Sequence, residues 1–192
     1  FKPVSFENVF FEQFSNTAVT GKIDRVDIFE KDDSIHVKII DYKSGANDID
    51  LDAVYNGLKL QLMVYLHSTV KKLQQKNPDK TVIAAGALYN RIDNPIISKT
   101  KEEDLEKILL DAMRPTGMVG YESIQYLDEW DSGKSLVVPA RRNKDGKLYL
   151  DSHLLTDEQL KCLSDYAMNK MAEMEKEINS GAVSANPYPQ SC

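Results

Sequence analysis

The order in which strand-like and helical segments alternate constrains the fold of this chain more than any other feature. Three β-type segments come first, centred on residues 4–6, 18–30 and 35–43. A long helical pattern at 52–75 follows them, and then a nearly all-apolar run at 81–90. Such a run is typical of a strand that is covered on both faces of a sheet. The order predicts an α/β fold in which a mixed central β-sheet is flanked by helices.

The boundaries of these segments follow from turn residues and periodicity. Lys31-Asp32-Asp33-Ser34 is turn chemistry between two strand-like runs, so it predicts a β-hairpin. The helix at 52–75 is predicted from apolar and polar residues that recur three and four positions apart on one face, namely Val54, Leu58, Gln61, Leu62, Tyr65, Leu66 and Val70.

The second half of the chain predicts two more helices around a smaller mixed part. An amphipathic helix is expected at 101–113, with Leu105, Ile108, Leu109 and Ala112 facing inward. Residues 114–155 predict a smaller mixed insertion, with a short strand at 136–139. Residues 156–180 predict a C-terminal helix that Thr156 caps and Gly181 ends. Without an internal repeat or a linker, 1–192 is expected to form a single domain.

The charge distribution bears on nucleic-acid partners. The net charge of −6 disfavours DNA or RNA, since phosphate binding depends on clustered Lys and Arg. Residues 1–100 nevertheless carry 13 basic and 13 acidic side chains, whereas residues 101–192 carry 11 and 17. The acidic balance therefore argues against a nucleic-acid site only in the second half.

The cysteines and termini indicate the cellular setting. Cys162 and Cys192 are too few for a disulfide framework, so we expect a reducing, cytoplasmic location. No apolar run approaches the roughly 20 residues of a membrane span, so no membrane partner is expected. The chain begins at Phe1 without an initiator Met and ends on a cysteine, and we therefore expect a fragment of a larger chain.

The candidate chemistry lies on the predicted hairpin. Asp41 and Lys43 are two residues apart and so share one face of their strand, and Asp24 is on the neighbouring strand. If the hairpin register permits, Asp24 and Asp41 converge beside Lys43. Two carboxylates suit Mg²⁺, which could polarise a phosphodiester oxygen and activate a bound water. Lys43 could orient the nucleophile or stabilise charge that develops on phosphorus.

A second pair of residues could support this site from the helix. Gln61 and Tyr65 are four positions apart and project from one helical face, from which they could reach back over the carboxylates. Each piece also has a simpler interpretation. Asp24, Arg25 and Asp27 could form an exposed charge ladder on an edge strand, and Gln61 and Tyr65 could be ordinary surface and core-rim residues.

The three histidines are interpreted as solvated or structural. His36 lies near the predicted hairpin turn, His67 in the middle of the long helix and His153 in a loop. The sequence also has no glycine-rich phosphate loop, no zinc-ligand spacing and no serine-nucleophile elbow.

In combination these motifs resemble the RecB-type branch of the PD-(D/E)xK nucleases. That branch carries Gly-x-x-Asp, Asp-x-Lys and Gln-x-x-x-Tyr in this order, which here are Gly21–Asp24, Asp41–Lys43 and Gln61–Tyr65. The resemblance covers essentially the whole chain and is nearest to the nuclease domain of a helicase–nuclease subunit. It implies a restriction-endonuclease-like core with Asp24, Asp41 and the Tyr42 carbonyl as metal ligands. Lys43 would be the catalytic lysine, with Gln61 and Tyr65 as its supports.

The function that the resemblance implies is an Mg²⁺-dependent DNA exonuclease, with Mn²⁺ as an alternative ion. Its partners would be single-stranded DNA ends from unwound duplex and a second helicase–nuclease subunit, and its role the processing of double-strand breaks for recombinational repair. A non-catalytic module that binds DNA ends or a partner on the same fold is the alternative from another class. A standalone RecB-like exonuclease is a further alternative.

Two departures from the family pattern qualify these expectations. The family usually has a His or Glu on a helix upstream of the first motif, and neither Glu7 nor Glu12 lies in a helical pattern. We therefore expect weak metal binding and low activity from this chain alone. The resembling subunit also carries a [4Fe–4S] cluster, of which Cys192 would be one ligand in the full-length protein. Such a cluster normally needs four thiolates, so none is expected here.

Overall fold

The computed structural model describes residues 2–13, 18–45, 47–92, 102–149 and 153–184. Its main element is a six-stranded mixed sheet in the order β1-β2-β3-β4-β5-β8. These strands are β1 (Lys2–Gln13), β2 (Ala18–Lys31), β3 (Ser34–Lys43), β4 (Thr81–Arg91), β5 (Thr116–Gly120) and β8 (Leu154–Leu155). The helices are α1 (Leu51–Tyr55), α2 (Gln61–Lys76), α3 (Glu102–Ala112), α4 (Ile124–Leu127) and α5 (Asp157–Asn179). A separate ribbon pairs β6 (Gly133–Lys134) with β7 (Arg141–Arg142).

The sheet combines a hairpin with a β-α-β crossover. β2 and β3 pair antiparallel through the predicted turn, where Asp32 adopts a positive φ of 49°. β3 and β4 pair parallel because α2 returns the chain to the same edge, and β5 then pairs antiparallel with β4. This arrangement confirms the predicted mixed sheet flanked by helices.

The two faces of the sheet are buried by different parts of the chain. α2 and α5 cover one face, with Val37, Ile39 and Leu66 fully buried between the layers. The other face is covered by the segment that contains α4 and the ribbon, in a second core that includes Ile40, Leu88 and Val138. β3 is therefore covered on both faces.

The charge ladder considered for β2 is wrong for Asp27, whose side chain is buried. Asp27 is only 1% exposed and pairs with Lys38 of β3, which is 2% exposed. Arg25 also donates two hydrogen bonds to the same carboxylate. A buried charge of this kind requires partners, which both cations supply.

The predicted single helix at 52–75 is wrong, since the chain forms two helices there. α1 begins at an Asp50 cap that accepts from two backbone N–H groups, and it ends before Gly57, which has a φ of 81°. A left-handed glycine stops a helix at little steric cost. Leu58, predicted to be on the buried face, is instead 58% exposed between the two helices.

In the second half of the chain, the position of one helix is confirmed, whereas two other expectations are wrong. α3 lies where it was predicted, but its inward face is wrong for Leu105 and Ile108, which remain more than a third exposed. The strand predicted at 136–139 is also wrong. There Ser135 Oγ accepts the N–H groups of Val137 and Val138, which bends the chain away from strand geometry.

The C-terminal helix agrees closely with its prediction. Thr156 accepts from the Gln159 N–H and the Gln159 side chain accepts from the Thr156 N–H, which is a complete capping box. Gly181 follows the helix with a φ of 74°. Within the described residues, no helix combines the length and apolar character needed to cross a bilayer.

Candidate active site

The hairpin register brings the two predicted carboxylates together. Arg25 pairs with Ile40 and Val26 with Ile39, so Asp24 lies beside the end of β3. There the backbone N–H of Tyr42 donates to Oδ2 of Asp24 across 2.9 Å. The hairpin register therefore permits Asp24 and Asp41 to converge, which the sequence alone could not decide.

Asp41 and Lys43 form a close ion pair at this strand end. Oδ2 of Asp41 lies 2.5 Å from Nζ of Lys43, and Asp41 is only 4% exposed. Burial raises the pKa of the Asp41 carboxyl above its usual range, Lys43 opposes that rise and neighbouring Asp24 adds to it. Lys43 thus offsets part of the negative charge that Asp24 and Asp41 bring together, and a further cation would be stabilised there.

Gln61 and Tyr65 extend the pair into a chain of hydrogen bonds. Gln61 is the first residue of α2, and its Oε1 accepts from Nζ of Lys43 across 3.2 Å. The Gln61 Nε2 then donates to the Tyr65 hydroxyl at 3.1 Å. Because Tyr65 is 9% exposed and belongs to the core, this chain ties the lysine head group to rigid structure.

Tyr89 is a residue of this site that reasoning from sequence missed. Its ring centroid lies 5.7 Å from Nζ of Lys43, close enough for a cation–π contact. Burial raises the pKa of Tyr89, and the charges of Asp41 and Asp48 add to that effect. The parallel register pairs Tyr89 with Asp41. The sequence feature that could have identified Tyr89 is its position near the end of β4, the strand that follows α2.

The donor set is consistent with a hard divalent cation. Asp24 and Asp41 supply carboxylate oxygens beside the backbone of Tyr42, and Mg²⁺ commonly takes one or two carboxylates with water completing its shell. The residues that the structure describes contain no group of three or more His, Cys, Asp or Glu side chains that could hold a metal. Cys192, the expected cluster ligand, lies outside the described residues.

The histidines lie away from this site and have structural partners, as one of their two interpretations predicted. Buried His36 contacts the hydroxyls of Ser34 and Ser123. His67 pairs with Asp165 of α5 across 2.9 Å, and His153 contacts the backbone carbonyl of Gly117 in β5.

Comparison with known proteins agrees with the motifs at this site. The sequence model of the PD-(D/E)XK nuclease superfamily matches residues 1–192. The chain is also similar to proteins named as a subunit of ATP-dependent helicase/deoxyribonuclease. It is 36% identical to that of Lachnoclostridium phytofermentans over 98% of this chain and 17% of the relative. The identity is 37% to that of Acetivibrio thermocellus, over 88% of the chain and 15% of the relative.

A third relative of that name, from Clostridioides difficile, is 32% identical over 98% of this chain and 18% of its own length. The chain therefore spans less than a fifth of the relatives that it matches. Their names confirm the resemblance to a helicase–nuclease subunit, and the match over the whole sequence establishes the family. The chain belongs to the PD-(D/E)XK nuclease superfamily and is a nuclease domain of that kind.

Proposed function

We propose that this chain is the Mg²⁺-dependent deoxyribonuclease domain of a helicase–nuclease that processes double-strand breaks for recombinational repair. The observation that carries the proposal is the convergence of Asp24, Asp41 and Lys43 at the end of β3, with the lysine held by Gln61. The names of the relatives support the deoxyribonuclease activity and the helicase context.

Each residue of the site has a role in phosphodiester hydrolysis. Asp24, Asp41 and the Tyr42 carbonyl would hold Mg²⁺, or Mn²⁺ in its place. When bound, such an ion polarises a phosphodiester oxygen and lowers the pKa of a coordinated water. The Lys43 ammonium lies against Asp41 and stabilises negative charge that develops on the phosphate oxygens.

Gln61 and Tyr65 are positioning residues in this scheme. Gln61 contacts Lys43 and Tyr65 contacts Gln61, so together they hold the ammonium at a fixed point near the phosphate. Fixed donors contribute more to catalysis than mobile ones, since they need no reorganisation as charge develops. The ring of Tyr89 supports the same ammonium from the neighbouring strand.

The substrate and partners follow from the same proposal. Single-stranded DNA ends, released from duplex by helicase motors, would be the substrate in the cytoplasm. The helicase–nuclease partner subunit would form the remainder of the assembly, and in the full-length protein Cys192 would ligate a [4Fe–4S] cluster.

Metal binding tests the first part of the proposal. We expect Mn²⁺ titration to give a weak site in the purified chain and none in Asp41→Ala. Asp33→Ala, in the hairpin turn at the other end of β3, is the matched control and should bind like the parent. Equal weak binding by the parent and Asp41→Ala would show that Asp41 is not a ligand.

Cleavage of labelled single-stranded DNA tests the second part. It is measured both in the chain and in a longer polypeptide that contains it, with the helicase partner present. Lys43→Ala should lower the rate about 10²–10³-fold, as expected for loss of a fixed electrostatic group. Lys31→Ala, at the far end of the hairpin, should leave it unchanged. If Lys43→Ala digests DNA at the parental rate, Lys43 has no catalytic role. If neither the parent nor the variant cleaves DNA, the non-catalytic DNA-binding alternative becomes the better account.

A further inference from the structure

A groove leads away from the candidate site around one end of the sheet. It consists of two hollows, of which the nearer contains Lys43 and Tyr89 and the farther has a volume of about 300 Å³. Both are lined by Arg114 and Thr116, so they form one continuous path. Five cations line this basic groove from the site outward, namely Lys43, Arg91, Arg114, Lys134 and Arg141.

The charge of the basic groove is opposite to that of the chain. Among the described residues that line the basic groove, Asp48 is the only acid. Asp111 lies beside the groove, where it pairs with Arg114 and Lys134. Asp41 likewise lies against Lys43, so the five cations outnumber these three acids, although the chain carries a net charge of −6. Three of the five cations come from residues 101–192, the half that holds the whole acidic excess. Such a local concentration of charge favours an anionic ligand.

The ribbon places two of these cations directly opposite each other. Lys134 of β6 pairs in register with Arg141 of β7. Like charges at opposed positions of an antiparallel pair are destabilising unless something offsets them. Asp111 offsets them in part, at 3.7 Å from Nζ of Lys134, and a bound phosphate would offset them further.

The loop between the two strands holds these cations in place. Ser135 follows Lys134 and is 2% exposed, and its hydroxyl donates to Asp128 across 2.5 Å. The Arg114 guanidinium also donates to the Ser135 carbonyl. The pair is consequently preorganised, which lowers the entropic cost of binding a ligand.

An exposed aromatic ring lies beside the same cations. The Arg141 guanidinium stacks 4.4 Å from the ring centroid of Tyr149, and Tyr149 is 46% exposed. Grooves that bind single-stranded nucleic acid combine a cationic path for the backbone with rings on which bases stack. The exposed ring beside the cations therefore favours single-stranded nucleic acid as the ligand.

We infer that the basic groove binds the phosphodiester backbone of single-stranded DNA and leads it to Lys43, with Lys134 and Arg141 as its outer phosphate contacts. The inference rests on the proposed function, because it takes DNA as the substrate of the site. It adds a binding surface that lies outside the metal and lysine chemistry.

DNA binding without cleavage tests the groove. A labelled thymidine oligonucleotide of about 20 nucleotides exceeds the roughly 4–16 nucleotides that comparable grooves cover. Fluorescence anisotropy in EDTA measures its affinity for the purified chain. The Lys134→Gln/Arg141→Gln double variant should bind about tenfold more weakly, and its salt slope should fall by about 0.7 for each phosphate that is no longer neutralised.

Two matched variants separate charge from structure. Lys71→Gln/Lys72→Gln removes two cations from α2, near the end of the helix remote from Gln61, and should bind like the parent. Lys134→Arg/Arg141→Lys keeps both charges and should also bind like the parent. Equal losses in the charge-keeping and charge-removing variants would overturn the inference.

The outcomes for the groove and for the proposed function are distinct. If no divalent ion elicits cleavage by the longer polypeptide with its partner, but the glutamine variant still binds DNA more weakly, the groove stands and the nuclease proposal fails. If the chain cleaves DNA and the glutamine variant binds it as tightly as the parent, the groove is wrong and the nuclease proposal stands.

Discussion

Nζ of Lys43 lies 3.2 Å from Oε1 of Gln61, which joins the end of β3 to the first turn of α2. The Gln61 amide cannot turn freely, because its Nε2 donates to the Tyr65 hydroxyl at 3.1 Å. The amide therefore presents its oxygen to the ammonium. The position of the lysine depends on where α2 begins as well as on the strand that carries it.

The first prediction concerns Gln61→Ala. Loss of a partner that orients an active-site group typically costs about 10–100-fold, and we expect that loss in the rate of DNA cleavage. Mn²⁺ affinity should stay at the parental value, since Gln61 is not a proposed ligand. Gln75→Ala, an exposed glutamine on the same helix, is the control. Parental cleavage by Gln61→Ala would mean that the hydrogen bond has no part in positioning Lys43.

A second prediction separates the Tyr65 hydroxyl from its ring. Tyr65→Phe keeps the buried ring but removes the acceptor for Gln61 Nε2. We expect a smaller loss than in Gln61→Ala, because the glutamine oxygen can still reach Lys43. Steady-state cleavage rates of Tyr65→Phe and Gln61→Ala show which variant loses more activity. A larger loss in Tyr65→Phe would point to direct contact of the hydroxyl with substrate.

The third prediction concerns the break between α1 and α2. Gly57 has a φ of 81°, and an added Cβ would overlap Cε of Met174. Gly181 has a similar φ of 74° with nothing within 4 Å of an added Cβ. Both alanine variants incur about 1 kcal/mol of backbone strain, and Gly57→Ala adds the overlap with Met174.

Urea unfolding of Gly57→Ala and Gly181→Ala isolates this overlap. Gly57→Ala should be the less stable of the two and should also cleave DNA more slowly, because it disturbs the start of α2. Equal unfolding free energies would mean that the Met174 side chain moves aside at no cost.

The residues of the site were predictable because they depend on strand alternation. Asp41 and Lys43 share a face through simple period-two geometry, and the turn at Asp32-Asp33 left only the register open. Gln61 and Tyr65 were found from their four-residue spacing, which is helical whether or not the helix extends further back. Local periodicity was sufficient to place these four side chains on their faces, whereas their roles in catalysis stay predictions.

The rest depended on contacts between distant parts of the chain. The helical pattern continued through Gly57, so the break there could not be read from periodicity. Tyr89 approaches Lys43 only through the parallel pairing of β3 with β4. Likewise the exposed charge ladder considered for Asp27 is excluded only by the burial of Asp27 and its pairing with Lys38. Cross-strand partners of this kind are not visible in a single sequence.

The fourth prediction concerns Ser123, a fully buried hydroxyl on the second face of the sheet. It donates to Oδ2 of Asp157 across 2.6 Å, and its oxygen lies 2.8 Å from Nδ1 of His36. Ser123→Ala would remove the hydroxyl partner of Asp157 Oδ2 and of His36 Nδ1, which costs about 1–3 kcal/mol. Urea unfolding measures the loss, with exposed Ser180→Ala as the control. A loss no larger than that of the control would contradict this account.

The last prediction is the pH dependence that His36 confers. Burial lowers the pKa of His36, so the unfolded chain binds its proton more tightly than the folded chain. The stabilising contribution is thus present above the ordinary histidine pKa of about 6.5, and it is lost as pH falls from there through the lowered pKa of the folded chain. Neighbouring Asp157 acts in the opposite sense, since burial raises its pKa. A variant of His36 alone is therefore the correct reference.

We expect the unfolding free energy of the parent to fall more steeply between about pH 7.5 and 5 than that of His36→Gln. At pH 8 the imidazole is neutral, so the difference in unfolding free energy between the parent and His36→Gln reports only the lost hydrogen bonds. The change of that difference with pH then isolates the titration of His36. Parallel slopes would show that His36 takes up its proton equally well in the folded chain.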